Sequence, residues 1–232
     1  MIVNILKVLI AFILRPFFKN KYKQYFLISE RGIDARDNGF VFFQYLIKNK
    51  DNIHPVYCIS KKSSDFKKVV STGEYVQFNS IKHILIFINA KALISTHVHF
   101  GAPTFRGFNF ALNHIFKKIP GKKIFLQHGI TKDWLPSLTA TNFHPDLFIC
   151  GAKPEYDYVL ATFGHDKNIV KYTGLARYDL LCTNGDIDSS HYILYMPTWR
   201  EKYRNISNKE FLNTDYYKEI MQVLNSHLIG QI

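Results

Sequence analysis

The chain has 232 residues, 47% of them hydrophobic and 16% aromatic, which is enough apolar surface for one large core or two modest ones and excludes a disordered polymer. With 30 Lys and Arg against 18 Asp and Glu the formal charge is +12, so the expected partner is an acid: nucleic acid, anionic lipid or a polyanionic substrate. The three cysteines, Cys58, Cys150 and Cys182, are too scattered for a disulfide framework or a zinc knuckle and read as reduced packing residues in a cytoplasmic protein.

The amino terminus, MIVNILKVLIAFILRPFF, predicts a helix over residues 2–18. At 1.5 Å per residue it would be about 25 Å long, short of a hydrocarbon core of about 30 Å, and it carries Lys7, so it is not expected to span a membrane. Asn4, Lys7, Ala11 and Arg15 recur at intervals of three and four, forming one narrow stripe on an otherwise apolar surface. That is the pattern of an amphipathic helix lying in a membrane interface. The segment lacks a small-residue cleavage site, and Pro16 with a basic tail follows, which argues against a secretory signal. A core helix packed on the body of the protein is the alternative. Lys19, Lys21 and Lys23, in a stretch of 23 residues without one acid, favour an anionic lipid surface. Residues 1–23 are therefore read as a membrane-associating helix with a basic flank.

From residue 24 short apolar runs alternate with helical ones: QYFLISER then GFVFFQYLIKN, HPVYCIS then SSDFKKVVS, EYVQFN then SIKHILIFINA, KALISTHV then FNFALNHIFKKI, and KKIFLQHGI. This period predicts βαβ units on a parallel sheet, a Rossmann-like domain over residues 24–140. The polar, Pro-containing stretch Thr131 to His144 is read as the crossover to a second α/β domain over 141–232. That domain offers DLFICGA, IVKYTGLA and HYILYMPTW as strands, about half of what such a domain needs, so it is expected to be incomplete. The aromatic residues fall within the apolar runs rather than along a basic groove, and no nucleic-acid motif is present, so no nucleic acid is expected as partner.

Chemistry is expected where strands end. His128 and Gly129 follow the run KKIFLQ, and Lys132 comes three residues later, giving an acid/base group with a cation that suits a phosphate-bearing substrate. A turn histidine is the competing reading. Arg177 and Asp179 follow Gly174 at a strand-to-helix turn, a natural phosphate site, although Asp179 would also serve as a helix cap. Thr198 and Arg200 end the next run, YILYMPTWR, and are expected beside Arg177. Glu30, Arg31, Arg36 and Asp37 cluster after the first strand and read either as a charged rim for substrate or as a salt-bridge network, with Asp37 or Asn38 capping the following helix. His97 and His99 alternate along an expected strand, but no further ligands stand near them and no metal site is assigned. The chain offers no carboxylate pair for Mg2+.

In order and approximate spacing, QHGITK, YTGLARYDLL and YILYMPTWR resemble the motifs of the CDP-glycerol glycerophosphotransferase family, which builds poly(glycerol phosphate) chains of teichoic acids and related capsules. LISERGIDARDNGFVFFQYL resembles the start of the acceptor domain in the wider group, so the likeness spans roughly residues 24 to 200. Ala176 stands where that family often has proline. The resemblance implies two Rossmann-like lobes of the GT-B type, the second truncated here, and transfer of glycerol phosphate from CDP-glycerol to a membrane-linked polyanionic acceptor with release of CMP. In its terms His128 is the general base; beside it Lys132, Arg177, Asp179, Thr198 and Arg200, with Glu30 and Arg36 of the charged cluster, are the candidate substrate contacts. No cofactor is implied, and the expected place is the cytoplasmic face of the cell membrane. A transferase of the same fold using another activated alditol or nucleotide sugar, or an inactive fragment that binds membrane and acceptor, is the alternative.

Overall fold

The computed structural model of the protein describes residues 2–49, 52–116, 119–181 and 200–226. Two compact units are distinguished, Met1–Gly185 and Asp186–Ile232.

The first unit opens with helix α1 (Ile2–Tyr22) and strand β1 (Tyr25–Ser29), then alternates through α2 (Asn38–Lys48), β2 (His54–Ile59), α3 (Phe66–Thr72), β3 (Tyr75–Gln77), α4 (Ile81–Phe87) and β4 (Ala92–Ser95). The short α5 (Phe108–Ala111) runs into a π-helical turn before β5 (Lys122–Phe125), and β6 (Leu147–Cys150), α6 (Lys153–Thr162) and β7 (Val170–Tyr172) complete it. All described strand pairs are parallel, in the order β3-β2-β1-β4-β5-β6-β7. Burial on both faces explains why β1, β2 and β4 read as almost unbroken apolar runs. Alternate residues serve opposite faces: Leu27, Val56, Cys58 and Leu93 enter one core, while Ile28, Tyr57, Ile59 and Ile94 enter the other, with Phe40 and Phe43 of α2.

The boundary expected at Thr131 to His144 is corrected by this sheet. β5 pairs directly with β6, Ile124 opposite Leu147 and Phe125 opposite Phe148, so the segment between them is a connection within one sheet. Phe143 and Leu138 from this segment are buried in the core, which its polar composition concealed. The division into units falls at Gly185 instead. The expected strand HYILYMPTW, and with it Thr198, lies outside the described residues, as does Cys182. Cys58 and Cys150 are buried free thiols.

α1 packs against α4 with Val8 and Ala11 buried. The orientation is the reverse of a helix that turns its polar stripe to water: the stripe bearing Lys7 and Ala11 faces the protein, where Lys7 Nζ donates to the Asn79 carbonyl at 2.9 Å. Val3, Leu6, Leu9, Phe12, Ile13 and Phe17 are exposed on the other side. No helix among the described residues is long and apolar enough to cross a membrane.

In the second unit, α7 (Asn208–Leu212) begins at a capping box of Ser207 with Glu210, and α8 (Asp215–Leu224) begins at Thr214, whose hydroxyl accepts from the Tyr217 N–H at 3.1 Å.

Candidate active site

In an open parallel sheet the crevice forms beyond the carboxyl ends of the strands where their order reverses, which here is between β1 and β4. The residues that follow β1, β4 and β5 meet at that edge. His128 lies three residues past β5, exposed, and its Nδ1 is 3.3 Å from the Thr96 carbonyl that follows β4. A backbone carbonyl only accepts, so the proton sits on Nδ1 and the basic lone pair on Nε2. The ring stacks on His97, with centroids 5.2 Å apart and planes 12° from parallel. The His97 backbone N–H donates to Ser95 Oγ, and its Nδ1 is 2.9 Å from the Thr96 hydroxyl. Desolvation, followed by the neighbouring His128, pulls the His97 pKa below the ordinary histidine value and favours its neutral form.

His128, His97, Gln127, Thr131 and Lys132 line one cavity of about 380 Å3. Lys132 and His128 are thus brought together as the sequence predicts. A larger cavity of about 560 Å3 lies between α2 and residues 173–179, walled by Val41, Phe42, Tyr45, Ile124 and Leu126 with Asp179 at its edge. The smaller cavity holds the titratable groups and is the candidate for chemistry.

Three buried side chains hold the histidine loop, and a fourth holds the start of α2 beside it. Gln127 adopts a left-handed φ of 58°, uncommon for a non-glycine residue. Its Oε1 accepts from the His128 N–H at 3.0 Å, and its Nε2 donates to Thr131 Oγ1 at 2.7 Å. Asn38, in the first turn of α2, donates to the Gln127 carbonyl at 2.7 Å and accepts from the Arg177 N–H at 3.0 Å. Glu155 of α6, 2% exposed, takes the Thr131 and Gly151 N–H groups, both at 2.7 Å, tying the loop after β5 to the loop after β6. Glu30 does the same for α2, accepting from the backbone of Arg36, Asp37 and Phe40 at 2.9, 2.9 and 3.0 Å.

Several expected site residues have other employment. Glu30 is buried under the start of α2 and forms no charged rim; desolvation raises its pKa against the lowering effect of its three backbone donors. Arg36 pairs with Asp65 at 2.7 Å and Ser64 at 2.8 Å on the surface. Asp37 is the N-cap of α2, as the sequence allows. Arg177 Nη1 donates to Asp37 Oδ1 at 2.8 Å and to the His128 carbonyl at 2.9 Å, bracing the histidine loop against α2. Asp179 lies inside the 3-10 turn Ala176–Leu181, so it caps no α-helix. Arg200, in the second unit, packs its guanidinium 5.5 Å from the Tyr216 ring. His97 and His99 do not share a strand face: β4 ends at Ser95, a turn follows, and His99 lines a different cleft from His97. Among the described residues no group of three or more His, Cys, Asp or Glu could hold a metal ion.

A family model described as CDP-glycerol:poly(glycerophosphate) glycerophosphotransferase matches residues 9–229. The chain belongs to this family. It is 27% identical over 215 residues to the minor teichoic acid biosynthesis protein GgaB of Bacillus subtilis (strain 168), covering 88% of this chain and 23% of GgaB. A structure of a histidine-to-asparagine variant of the wall teichoic acid polymerase TagF matches with a TM-score of 0.50 and 16% identity over 78% of this chain and 49% of TagF. A second TagF structure, of a crystal soaked with CDPG, gives 0.49 over the same shares. The likeness to TagF is one of fold, an α/β architecture on a parallel sheet. This glycerophosphotransferase-family chain spans about a quarter of GgaB and about half of TagF.

Gln127 and Glu155 escaped the sequence reading, and Asn38 was legible only as a candidate cap, because nothing local marks a buried polar brace. Glu155 left one trace: Lys153-Pro154-Glu155 has proline at the first helical turn and an acid just after it, a pattern that points a carboxylate at backbone N–H groups.

Proposed function

We propose that this chain supplies the acceptor lobe of a two-lobed, GT-B-type glycerophosphotransferase on the cytoplasmic face of the membrane, and that the second lobe begins after Gly185. The reaction moves glycerol phosphate from CDP-glycerol to a membrane-linked acceptor of the teichoic acid or capsule type. The Nε2 atom of His128 accepts the proton of the acceptor's terminal glycerol hydroxyl. The oxygen then attacks the β-phosphorus, a new P–O bond forms, the bond to the bridging oxygen breaks, and CMP leaves with that oxygen. Lys132 stands in the same cavity to offset phosphate charge. Arg177 engages Asp37 and the His128 carbonyl through one nitrogen of a group with five N–H donors, and offers the others to the diphosphate. Asp179, Thr198 and Arg200 are assigned to the donor side. The outward apolar face of α1 with the basic residues after it lies on anionic lipid.

The observation that carries the reading is the His128 ring, fixed in one tautomer by the Thr96 carbonyl and opening on a cavity with a lysine beyond the carboxyl ends of β4 and β5. The test is a chimera joining residues 1–181 to the second lobe of a relative, given CDP-glycerol and a lipid-linked glycerol phosphate primer. Release of CMP with a product one glycerol phosphate heavier is expected. His128→Ala should cut turnover by about 100-fold or more with CDP-glycerol affinity nearly intact. Near-normal turnover in a folded His128→Ala chimera would overturn the assignment.

A further inference from the structure

A cleft of about 300 Å3 opens between α1 and the segment around α5, walled by Ile5, Val8, Leu9, Phe105, Phe110 and Ala111. Asn4 and Arg106 are its polar side chains; the rest of the lining is apolar or glycine. Ile5, Leu9 and Phe110 are 52%, 47% and 65% exposed, so the mouth is an uncovered apolar surface continuous with the outward face of α1. The size is at the low end for ligand cavities, which suits one slender chain rather than a ring system. Beyond Phe105, Arg106 and Gly107, which line both, a second cleft of about 300 Å3 continues among Thr104, Asn109 and His99. His99 is two residues from His97, which stacks on His128. An apolar slot, a cation at its rim and a second cleft lined by His99 therefore follow one another along the surface.

We propose that this cleft seats the apolar chain of the phosphate-linked lipid that carries the acceptor, with its phosphate at Arg106. Charge and continuity select this occupant: the slot opens on the face of α1 that Leu6, Ile13 and Phe17 make apolar, and the rim residue is the one that an anionic headgroup needs. The seat is held rigidly from behind. Lys7 of α1 binds the Asn79 carbonyl, and the Asn79 side chain bonds Thr104 through both its oxygen, at 3.0 Å, and its nitrogen, at 3.3 Å. One residue thus fixes both walls, α1 and the segment that begins at Thr104. The inference rests on the proposal of a membrane-linked acceptor, but its readout requires no turnover.

The probe is 1-palmitoyl lysophosphatidylglycerol below its micelle concentration, titrated into the whole chain, with the choline analogue of equal chain length as control. One molecule per chain is expected, bound more tightly than the choline analogue. Ile5→Glu and, from the opposite wall, Phe110→Glu should each weaken binding by about tenfold or more, because a carboxylate must then be desolvated beside the chain. Both positions are exposed, and an unchanged thermal midpoint confirms folding. Ile13→Glu, on the outer face of α1, should release the chain from anionic vesicles while leaving the monomeric lipid bound. Arg106→Gln should abolish the preference for the anionic lipid. Equal loss of monomeric lipid in Ile5→Glu and Ile13→Glu, or no preference for the anionic headgroup in the wild type, would show surface partitioning and overturn the seat. A chain that binds lipid here while the chimera transfers nothing defeats the proposed reaction alone. Transfer by a chimera whose Ile5→Glu form holds the lipid like the wild type defeats this inference alone.

Discussion

His128 owes its placement to its neighbour Gln127 and to four groups far away in sequence. Its ring is fixed by the Thr96 carbonyl and His97, its backbone by Gln127 and Arg177, and the end of its loop by Glu155. Glu155→Gln tests the last of these. One side-chain oxygen becomes an NH2 group facing either the Thr131 or the Gly151 N–H, and a buried donor left unsatisfied costs about 1–3 kcal/mol. The expected result is a stability loss of that size by urea titration and faster amide exchange at Thr131 and Gly151. Unchanged exchange at both amides would remove Glu155 from the support of the loop. The placement of His128, Gly129 and Lys132 together beyond β5 was legible because all three follow one strand end in sequence. Arg177 was legible only as a cation after a strand, because its partner Asp37 lies 140 positions away and no spacing rule reaches that far. Glu30 was misjudged for the same reason: a charged residue in a charged cluster reads as surface until three backbone N–H groups are found on it.

At the level of elements, periodicity located the helices and strands of the first unit well and failed where orientation mattered. The stripe of Asn4, Lys7, Ala11 and Arg15 was legible on α1, yet the side it faces depends on α4, which only tertiary packing reveals. His83 of α4 is the joint behind that packing. It is fully buried, its Nδ1 accepts from the Asn79 N–H at 3.1 Å, and its Nε2 donates to the Gly101 carbonyl at 2.9 Å, joining the end of β3 to the turn after β4. Burial lowers its pKa from 6.5 to about 4, outweighing the hydrogen bond to Gly101. Because the folded value is depressed, the neutral ring's contribution is present above pH 6.5 and is lost as pH falls through about 4. At 1.36 kcal/mol per pH unit the loss is about 3 kcal/mol. Denaturant titrations between pH 7 and 4 should show this decline in the wild type, and His83→Gln, which keeps an acceptor and a donor but does not titrate, should flatten it by about that amount. Parallel curves for the two proteins would assign the acid sensitivity elsewhere.

For the whole molecule, the decisive fact is that one sheet runs from β3 to β7 across the stretch where composition suggested a domain break. Composition misled because the connection from β5 to β6 is polar on average while its two apolar anchors, Leu138 and Phe143, are buried; Phe143 meets Phe125 edge-on at 5.0 Å and stacks on Phe100 at 5.4 Å. A lobe ending at residue 140 would lose β6, β7 and Phe143, strip the partner from one edge of β5 and expose Phe125, whereas one ending at Gly185 keeps every described strand pair and both cores. The two boundaries make opposite predictions. A chain of residues 1–185 should be soluble and monomeric, unfold in a single cooperative transition and retain the acid sensitivity set by His83, because all partners of that residue lie within it. A chain of residues 1–140 should aggregate, since β5 becomes an unpaired edge beside exposed aromatic rings. The measurement is thermal unfolding followed by circular dichroism, with light scattering for association. A cooperative, soluble 1–140 chain would restore the earlier boundary, and a 1–185 chain without a cooperative transition would show that Asp186–Ile232 is needed to complete the fold.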